Sequence, residues 1–191
     1  KDLNLTKLPE TIYDFDIRGA FKFGDAEFLY QIIRLFKPKK FVEIGSGSST
    51  RIAYQALKKN NEETNTKCEH ICIEPYEMPW LEDIGVKVIR KLAEDCDISI
   101  FSSLEENDIL FIDSSHIIRP QGDVLKEYLE IVPNLNKGVY VHVHDIFTPR
   151  DYLDEWIRDE VYFWNEQYLL EALLTDTNKY EIVAALNYLY H

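Results

Sequence analysis

From residue 41 onward, short apolar runs alternate with segments in which apolar residues recur every three or four positions. The apolar runs predict β-strands at 41–45, 70–74, 86–90, 108–113, 138–144 and 180–189. The segments with helical periodicity predict helices at 25–36, 49–60, 77–83, 97–103, 122–132, 151–157 and 165–174. Nearly continuous apolar strands separated by helices are typical of a parallel sheet with helices on both faces. The pattern therefore predicts an α/β domain built on a doubly wound, mostly parallel sheet.

The residues before this alternation form a segment of their own, with aromatic side chains within 13–16 and 21–24. We predict that residues 1–24 form a cap or lid and that residues 25–191 form the folded domain. With 191 residues, the chain is long enough to bury a core without disulfide bonds or a structural metal ion.

The composition limits the partners of this protein. Its net charge is −13, and no basic run is longer than two residues, whereas a nucleic-acid-binding surface is basic. No apolar run approaches the ~20 residues of a membrane span. Cys68, Cys72 and Cys96 form neither an even set nor a CxxC pair, which predicts structural thiols in a reducing compartment. We therefore expect a cytoplasmic protein that binds neither nucleic acid nor membrane.

A strand, a glycine turn and a helix start follow one another within residues 41–50, which read FVEIGSGSST. Glycine lets a ligand approach the backbone closely, and a helix N-terminus offers unpaired N–H groups. A dinucleotide-binding turn would carry a third glycine at Thr50. An acid just before the turn, Glu43, suits a cationic or amine-bearing ligand better than a pyrophosphate. The predicted binding residues of this turn are Glu43, Gly45, Ser46, Gly47, Ser49 and Thr50.

Every predicted strand from the first to the fifth delivers an acid or a histidine to the edge of the sheet where ligands of such folds bind. Glu74 ends the second strand 24 residues beyond Thr50, close to the ~20-residue offset at which an acid binds a ribose. We predict that Glu74 binds both ribose hydroxyls of a nucleoside ligand. The other strand-end residues are Glu43, Asp95, Asp113, His144 and Asp145.

The central strand ends carry the residues most suited to chemistry. Asp113, His144 and Asp145 could hold a divalent cation such as Mg²⁺, which would accept a substrate oxygen. They could instead act without a metal, with His144 or Asp113 removing a hydroxyl proton, or be purely structural. His116 lies in the loop after the fourth strand, where it would steer an acceptor or be a solvated loop residue. The predicted catalytic residues are Asp113, His116, His144 and Asp145.

Six aromatic residues fall within residues 152–168. Aromatic residues at helical spacing usually belong to a core or to the face of a homodimer. The alternative is the wall of an acceptor pocket, in which the rings would stack on a sugar or another ring.

Together these segments resemble the class I S-adenosylmethionine (SAM)-dependent methyltransferases, and within them the group called methyltransferase domain 24. The matching segments are 41–50, Glu74-Pro75, 112–116 (IDSSH), 144–149 (HDIFTP) and 164–170 (WNEQYLL). The resemblance implies a seven-stranded, Rossmann-like sheet with SAM across the turn at 43–50 and its ribose on Glu74. Asp95 and Asp113 join the expected cofactor contacts. It also implies methyl transfer to a hydroxyl of a small molecule or a glycan, with Asp113, His144 and Asp145 near the acceptor.

The chain departs from the family in one respect and leaves two other functions open. Such folds usually end with an antiparallel strand, whereas this chain stops at His191, directly after the sixth predicted strand. A nicotinamide-dependent oxidoreductase would need a different turn, since Thr50 and Glu43 both count against it. A SAM-binding domain with a regulatory role and no turnover is the non-enzymatic alternative.

Overall fold

The computed structural model describes residues 9–16, 18–19, 21–76 and 78–190. Its sheet has five parallel strands in the order β3-β2-β1-β4-β5. The strands are β1 (Lys40–Ile44), β2 (Glu69–Ile73), β3 (Lys87–Ile89), β4 (Ile109–Ile112) and β5 (Tyr140–Val143). Each one lies within two residues of a predicted strand at both ends. The predicted α/β fold with a parallel sheet is therefore confirmed.

Helices fill the connections between these strands. The described α-helices are α1 (Phe23–Phe36), α2 (Ser48–Thr64), α3 (Pro79–Asp83), α4 (Ser99–Ser102), α5 (Asp123–Lys126), α6 (Asp154–Arg158), α7 (Glu166–Leu174) and α8 (Leu186–Tyr190). The predicted helix at 122–132 is more varied than expected, because α5 continues as a π-helix at Glu127–Ile131 and a 3₁₀ turn at Val132–Asn134. A further 3₁₀ turn, Ala93–Asp95, follows β3.

Two hydrophobic clusters lie on opposite faces of the sheet. Successive strand residues point to opposite faces, so Phe41 and Phe111 pack with apolar residues of α1 and α2. Val42 and Leu110 pack on the other face with apolar residues that include Phe101 and Ile131. Both clusters are buried, which explains why the central strands β1 and β4 carry apolar residues on both faces.

The described part of the N-terminal segment packs against the domain. Phe15 and Phe21 are buried in the same cluster as α1 and α2. Tyr13 stacks on Tyr54 with 5.2 Å between the ring centroids, and the Phe21 ring lies 4.8 Å from that of His144. Residues 1–8, 17 and 20 of the predicted cap lie outside the described residues, so the lid role stays a prediction.

The sixth predicted strand, at 180–189, is wrong. Residues 175–185 form turns and irregular structure, and α8 follows them. Ile182 and Val183 are 66% and 62% exposed. An apolar run becomes a strand only where a neighbouring strand can pair with its backbone, and no described strand lies beside this one. The described sheet therefore has five strands instead of seven, and β5 is an edge strand. None of the helices described is both long and apolar enough for a membrane span.

Gly45 brings the ends of the two central strands together. Its φ angle is +78°, in the left-handed region, and a Cβ at this position would overlap the backbone carbonyl oxygen of Asp113. The N–H of Asp113 donates a hydrogen bond to the carbonyl of Ile44 at 2.9 Å. Only glycine allows the turn after β1 and the end of β4 to approach this closely.

Replacing Gly45 by alanine should lower the free energy of unfolding by about 2 kcal/mol or more, because a Cβ is unfavourable in the left-handed region and would overlap Asp113. Urea unfolding measures the change. Gly24→Ala is the matched control, since nothing lies within 4 Å of a Cβ there and alanine favours the helix. Equal stability of Gly45→Ala and the unmodified protein would contradict this role of Gly45.

Candidate functional site

The side chain of Glu43 lies behind the glycine turn. It is fully buried at the end of β1, and its carboxylate accepts hydrogen bonds from Ser49 Oγ at 2.5 Å and Thr50 Oγ1 at 2.8 Å. Thr50 Oγ1 also accepts a hydrogen bond from the Gly47 N–H at 3.0 Å. Thr50 stands where a dinucleotide-binding turn has its third glycine, and its hydrogen bonds link the start of α2 to β1.

This arrangement corrects one expectation for the turn. Glu43 was expected to face an amine-bearing ligand, and Ser49 and Thr50 to bind the ligand with it. Their side chains instead bond to one another in the interior, because the first turn of α2 passes directly over the end of β1. The three side chains are buried behind the turn.

A second polar group lies under the same turn. His70 Nε2 and Cys72 Sγ each lie 3.4 Å from Glu43 Oε2 and 3.5 Å from each other. Burial and the nearby Glu43 carboxylate raise the pKa of Cys72 far above its usual range, which fits the predicted structural role of this thiol. The three side chains could hold a metal ion by distance alone. Glu43, however, already accepts hydrogen bonds from Ser49 and Thr50.

The ligand side of the turn is formed by Ser46, Gly47 and Glu74. A Cβ built on Gly47 would have nothing within 4 Å, so the space in front of this residue is open. The carboxylate of Glu74, at the end of β2, accepts hydrogen bonds from the N–H groups of Ser46 at 3.1 Å and Tyr76 at 2.9 Å. The Ser46 hydroxyl is buried and lies against the Cys72 thiol, on the interior side of the turn. Asp95 is exposed in the turn after β3.

These contacts hold the Glu74 carboxylate in place before any ligand arrives. Each carboxylate oxygen keeps a free lone pair after accepting one backbone hydrogen bond. Glu74 can therefore still accept two hydroxyl groups, as the ribose prediction requires.

His116 is the centre of a second cluster, at the ends of β4 and β5. Its Nε2 lies 3.3 Å from Asp113 Oδ1 and 3.9 Å from Asp145 Oδ2, and its Nδ1 lies 2.7 Å from Glu166 Oε2. Burial alone would lower the pKa of His116, but its hydrogen bonds to Asp113 and Glu166 raise it to about 10. His116 is therefore a buried imidazolium between carboxylates at neutral pH.

The carboxyl groups of this cluster differ in their acidity. Burial raises the pKa of Asp113, but the hydrogen bond to His116 and the charge of His144 outweigh it, so the net pKa is lowered. Burial raises the pKa of Asp145 above its usual value. Asp145 is thus the better proton acceptor of the two, because a base is more effective when its pKa is closer to the working pH.

His144 does not occupy the position expected of it. Its ring is buried against Phe21 and Phe111, and its Nε2 lies 3.6 Å from Asp145 Oδ1. The group at this edge whose ligand atoms all lie within 4.8 Å of one another consists of Asp113, His116 and Asp145. His116 therefore replaces His144 in the predicted metal-binding set, because the loop after β4 folds back over the strand ends.

Glu166 was missed as a candidate residue. It is fully buried at the start of α7, and its second oxygen, Oε1, accepts a hydrogen bond from the hydroxyl of Tyr128 at 2.7 Å. An acid in the first turn of a helix is common because its negative charge interacts favourably with the helix dipole. The sequence therefore offered no reason to single out Glu166. The one available signal was its place in the WNEQYLL segment that resembles the family.

The aromatic segment borders this cluster and is only partly buried. The Trp164 ring lies 4.2 Å from that of His116 and stacks on Tyr162 at 5.1 Å. Trp156 packs edge-on against Trp164 at 5.0 Å. Tyr162 and Phe163 are 41% and 73% exposed. The segment is therefore partly core, through the buried Tyr152, and partly exposed.

The comparison with protein families relates this chain to methyltransferases. A family model described as a methyltransferase domain matches residues 42–146. An uncharacterized protein of Archaeoglobus fulgidus is 36% identical over 96 residues, which are 48% of this chain and 42% of that protein. A SAH-bound methyltransferase of Podospora anserina (SAH is S-adenosylhomocysteine) aligns over 78% of this chain and 64% of its own, with 19% identity and a TM-score of 0.47. The matched parts thus span less than two thirds of either protein.

The charge of His116 should make stability depend on pH. Because its folded pKa of about 10 exceeds the ordinary value of 6.5, the protonated form favours the folded state. This contribution is complete below pH 6.5 and is lost as the pH rises to about 10. Urea unfolding from pH 6 to about 10 should therefore show the unmodified protein losing stability relative to His116→Gln. Parallel pH curves for the two proteins would contradict the assignment.

Proposed function

This chain belongs to the methyltransferase domain 24 family, whose model matches residues 42–146, and we propose that it transfers a methyl group from SAM to a hydroxyl oxygen of a small metabolite or saccharide. One observation carries this proposal. The ligand-side turn and the His116 cluster meet where Gly45 packs against the carbonyl of Asp113. A cofactor on the turn and an acceptor at the cluster would therefore be neighbours.

The residues of the turn fit a nucleoside cofactor. The open space at Gly47 admits the ligand, and Glu74 accepts the two ribose hydroxyls. When bound, SAM supplies an electrophilic methyl group. Asp95 and Asp113 remain predicted contacts at the neighbouring strand ends.

The His116 cluster removes the proton of the acceptor hydroxyl. Methyl transfer to oxygen needs alignment of the two reactants and removal of one proton. His116 is already protonated and cannot accept it. We assign this role to Asp145, whose pKa is raised by burial, with Asp113 and His116 orienting the acceptor oxygen and His144 beside Asp145. In the alternative with a divalent cation, Asp113, His116 and Asp145 would hold the ion.

The rings beside His116 support an acceptor with a flat or cyclic face. Trp156, Tyr162 and Trp164 form a partly exposed aromatic group next to the cluster. Aromatic faces pack well on apolar faces of rings. A net charge of −13 disfavours polyanionic acceptors.

The cofactor side is tested by calorimetry with SAH. Gly47→Val should abolish SAH binding, because the branched side chain would fill the open space. Glu74→Ala should lose about 1.5–3 kcal/mol of SAH binding free energy, the usual size of hydrogen bonds to a charged group. NADH should not bind, which separates a methyltransferase from an oxidoreductase.

Thermal unfolding of both variants shows whether the fold is intact. An intact Gly47→Val protein that binds SAH as well as the unmodified protein would place the cofactor elsewhere. A change of less than about twofold in the SAH affinity of Glu74→Ala would contradict the ribose contact. The loss of even one weak hydrogen bond lowers affinity by more than this.

The acceptor side is tested by SAH formation with a panel of hydroxyl-bearing metabolites and saccharides. Asp145→Asn should lower turnover by about 10²-fold or more, the scale of general base catalysis, with SAH affinity unchanged. Turnover should be unaffected by EDTA.

Two outcomes would change the proposal. Loss of turnover in EDTA, restored by Mg²⁺, would show that Asp113, His116 and Asp145 bind a cation and would overturn proton transfer without a metal. SAH binding without turnover on any acceptor of the panel would favour the regulatory, non-enzymatic alternative.

A further inference from the structure

Four consecutive residues, Trp164 to Gln167, contact both loops that carry the acceptor-side residues. These loops are the one after β4, residues 113–122, and the one after β5, residues 144–153. The four residues include the start of α7. Trp164 also belongs to the aromatic group beside the cluster, whereas Asn165, Glu166 and Gln167 have no part in binding or proton transfer in the proposed function.

The first three residues of this segment bind the loop after β4. The Trp164 ring lies 4.2 Å from the His116 ring. Asn165 Oδ1 accepts a hydrogen bond from the Ile118 N–H at 2.6 Å, and the N–H groups of Asn165 and Glu166 donate to the His116 carbonyl at 3.0 and 3.2 Å. With the bond between Glu166 and the His116 ring, both the backbone and the side chain of His116 are held.

The fourth residue, Gln167, binds the loop after β5. It is 1% exposed. Its Oε1 accepts a hydrogen bond from the Phe147 N–H at 3.1 Å, and its Nε2 donates to the Arg150 carbonyl at 3.0 Å. Its own N–H donates to the hydroxyl of Tyr152 at 3.1 Å. Asp145 lies just before these contacts in the same loop.

Both loops have unfavourable backbone conformations where they carry the acceptor-side residues. His116 has a φ angle of +59° and Asp145 one of +54°, in the region that residues with a side chain rarely adopt. Such conformations persist when surrounding contacts hold them, and they concentrate at functional sites. Glu166 and Gln167 supply such contacts, one to each loop.

We propose that residues 164–167 form a clamp that positions His116 and Asp145 relative to each other, with Glu166 and Gln167 as its positioning residues. Glu166 holds the Nδ1 side of the His116 ring, which directs Nε2 towards Asp113 and Asp145. Gln167 holds the loop that carries Asp145. The effect on turnover rests on the proposed function, whereas the effect on the His116 ring does not.

The test compares Glu166→Gln and Gln167→Met with the control Thr175→Val. Thr175 directly follows α7, is exposed, and its hydroxyl bonds to the Glu171 carbonyl within the same helix. Three quantities are measured: the ¹⁵N and ¹H NMR signals of the His116 ring in the free protein, the affinity for SAH, and turnover at saturating SAM.

Glu166→Gln should shift the His116 Nδ1–H signal. Both clamp variants should lower turnover by about 10²-fold, the scale of a displacement of about 1 Å between reacting groups, and leave SAH affinity unchanged. Thr175→Val should alter none of the three quantities. If Glu166→Gln does not fold, the proposal is tested by the turnover and the His116 ring signals of Gln167→Met. That variant keeps the Glu166 carboxylate.

Unchanged His116 signals in a folded Glu166→Gln protein would overturn the proposal. So would losses of turnover that match the unfolded fraction of each variant, which indicate a contribution to stability only. Failure of the unmodified protein to bind SAH would contradict the proposed function and leave the ring signals as the measure of the clamp.

Discussion

The site depends on the contact between Gly45 and the carbonyl of Asp113. The contact forms because β1 and β4 are paired in the centre of the sheet and because glycine lacks a Cβ. It joins the turn that would hold a cofactor to the strand end that carries the acceptor-side residues. A side chain at this position would push the two apart, and the groups on either side would no longer face a common space.

Two fully buried carboxylates, Glu43 and Glu166, organise the two halves of the site. Glu43 ties the start of α2 to β1 through two hydroxyl groups. Glu166 ties α7 to the loop after β4 through the imidazole of His116, and to the π-helix Glu127–Ile131 through the phenol of Tyr128. A buried carboxylate is costly unless hydrogen bonds satisfy it. Both therefore restrict their surroundings to a single arrangement, which is what a site for aligned reactants requires.

The sequence predicted the five strands and the edge at which the polar residues gather, because both follow from local periodicity and from parallel topology. It could not predict the direction in which each polar side chain points. Glu43 faces inward and His116, rather than His144, is central, since loop geometry decides both. Glu166 is 50 residues from His116, a separation over which no local pattern operates. Residues 180–189 were predicted as a strand from their apolar pattern alone. That pattern cannot show whether a neighbouring strand is available to pair with the segment, and no described strand is.

The outer side of β5 has a consequence for handling the protein. No described strand pairs with that side, and Val141 on β5 is solvent-exposed. Unpaired strand edges promote association between copies. The net charge of −13 opposes this by mutual repulsion, and that repulsion weakens in high salt or near the isoelectric point of about 4.8. Colloidal stability of this protein thus relies on its acidic surface.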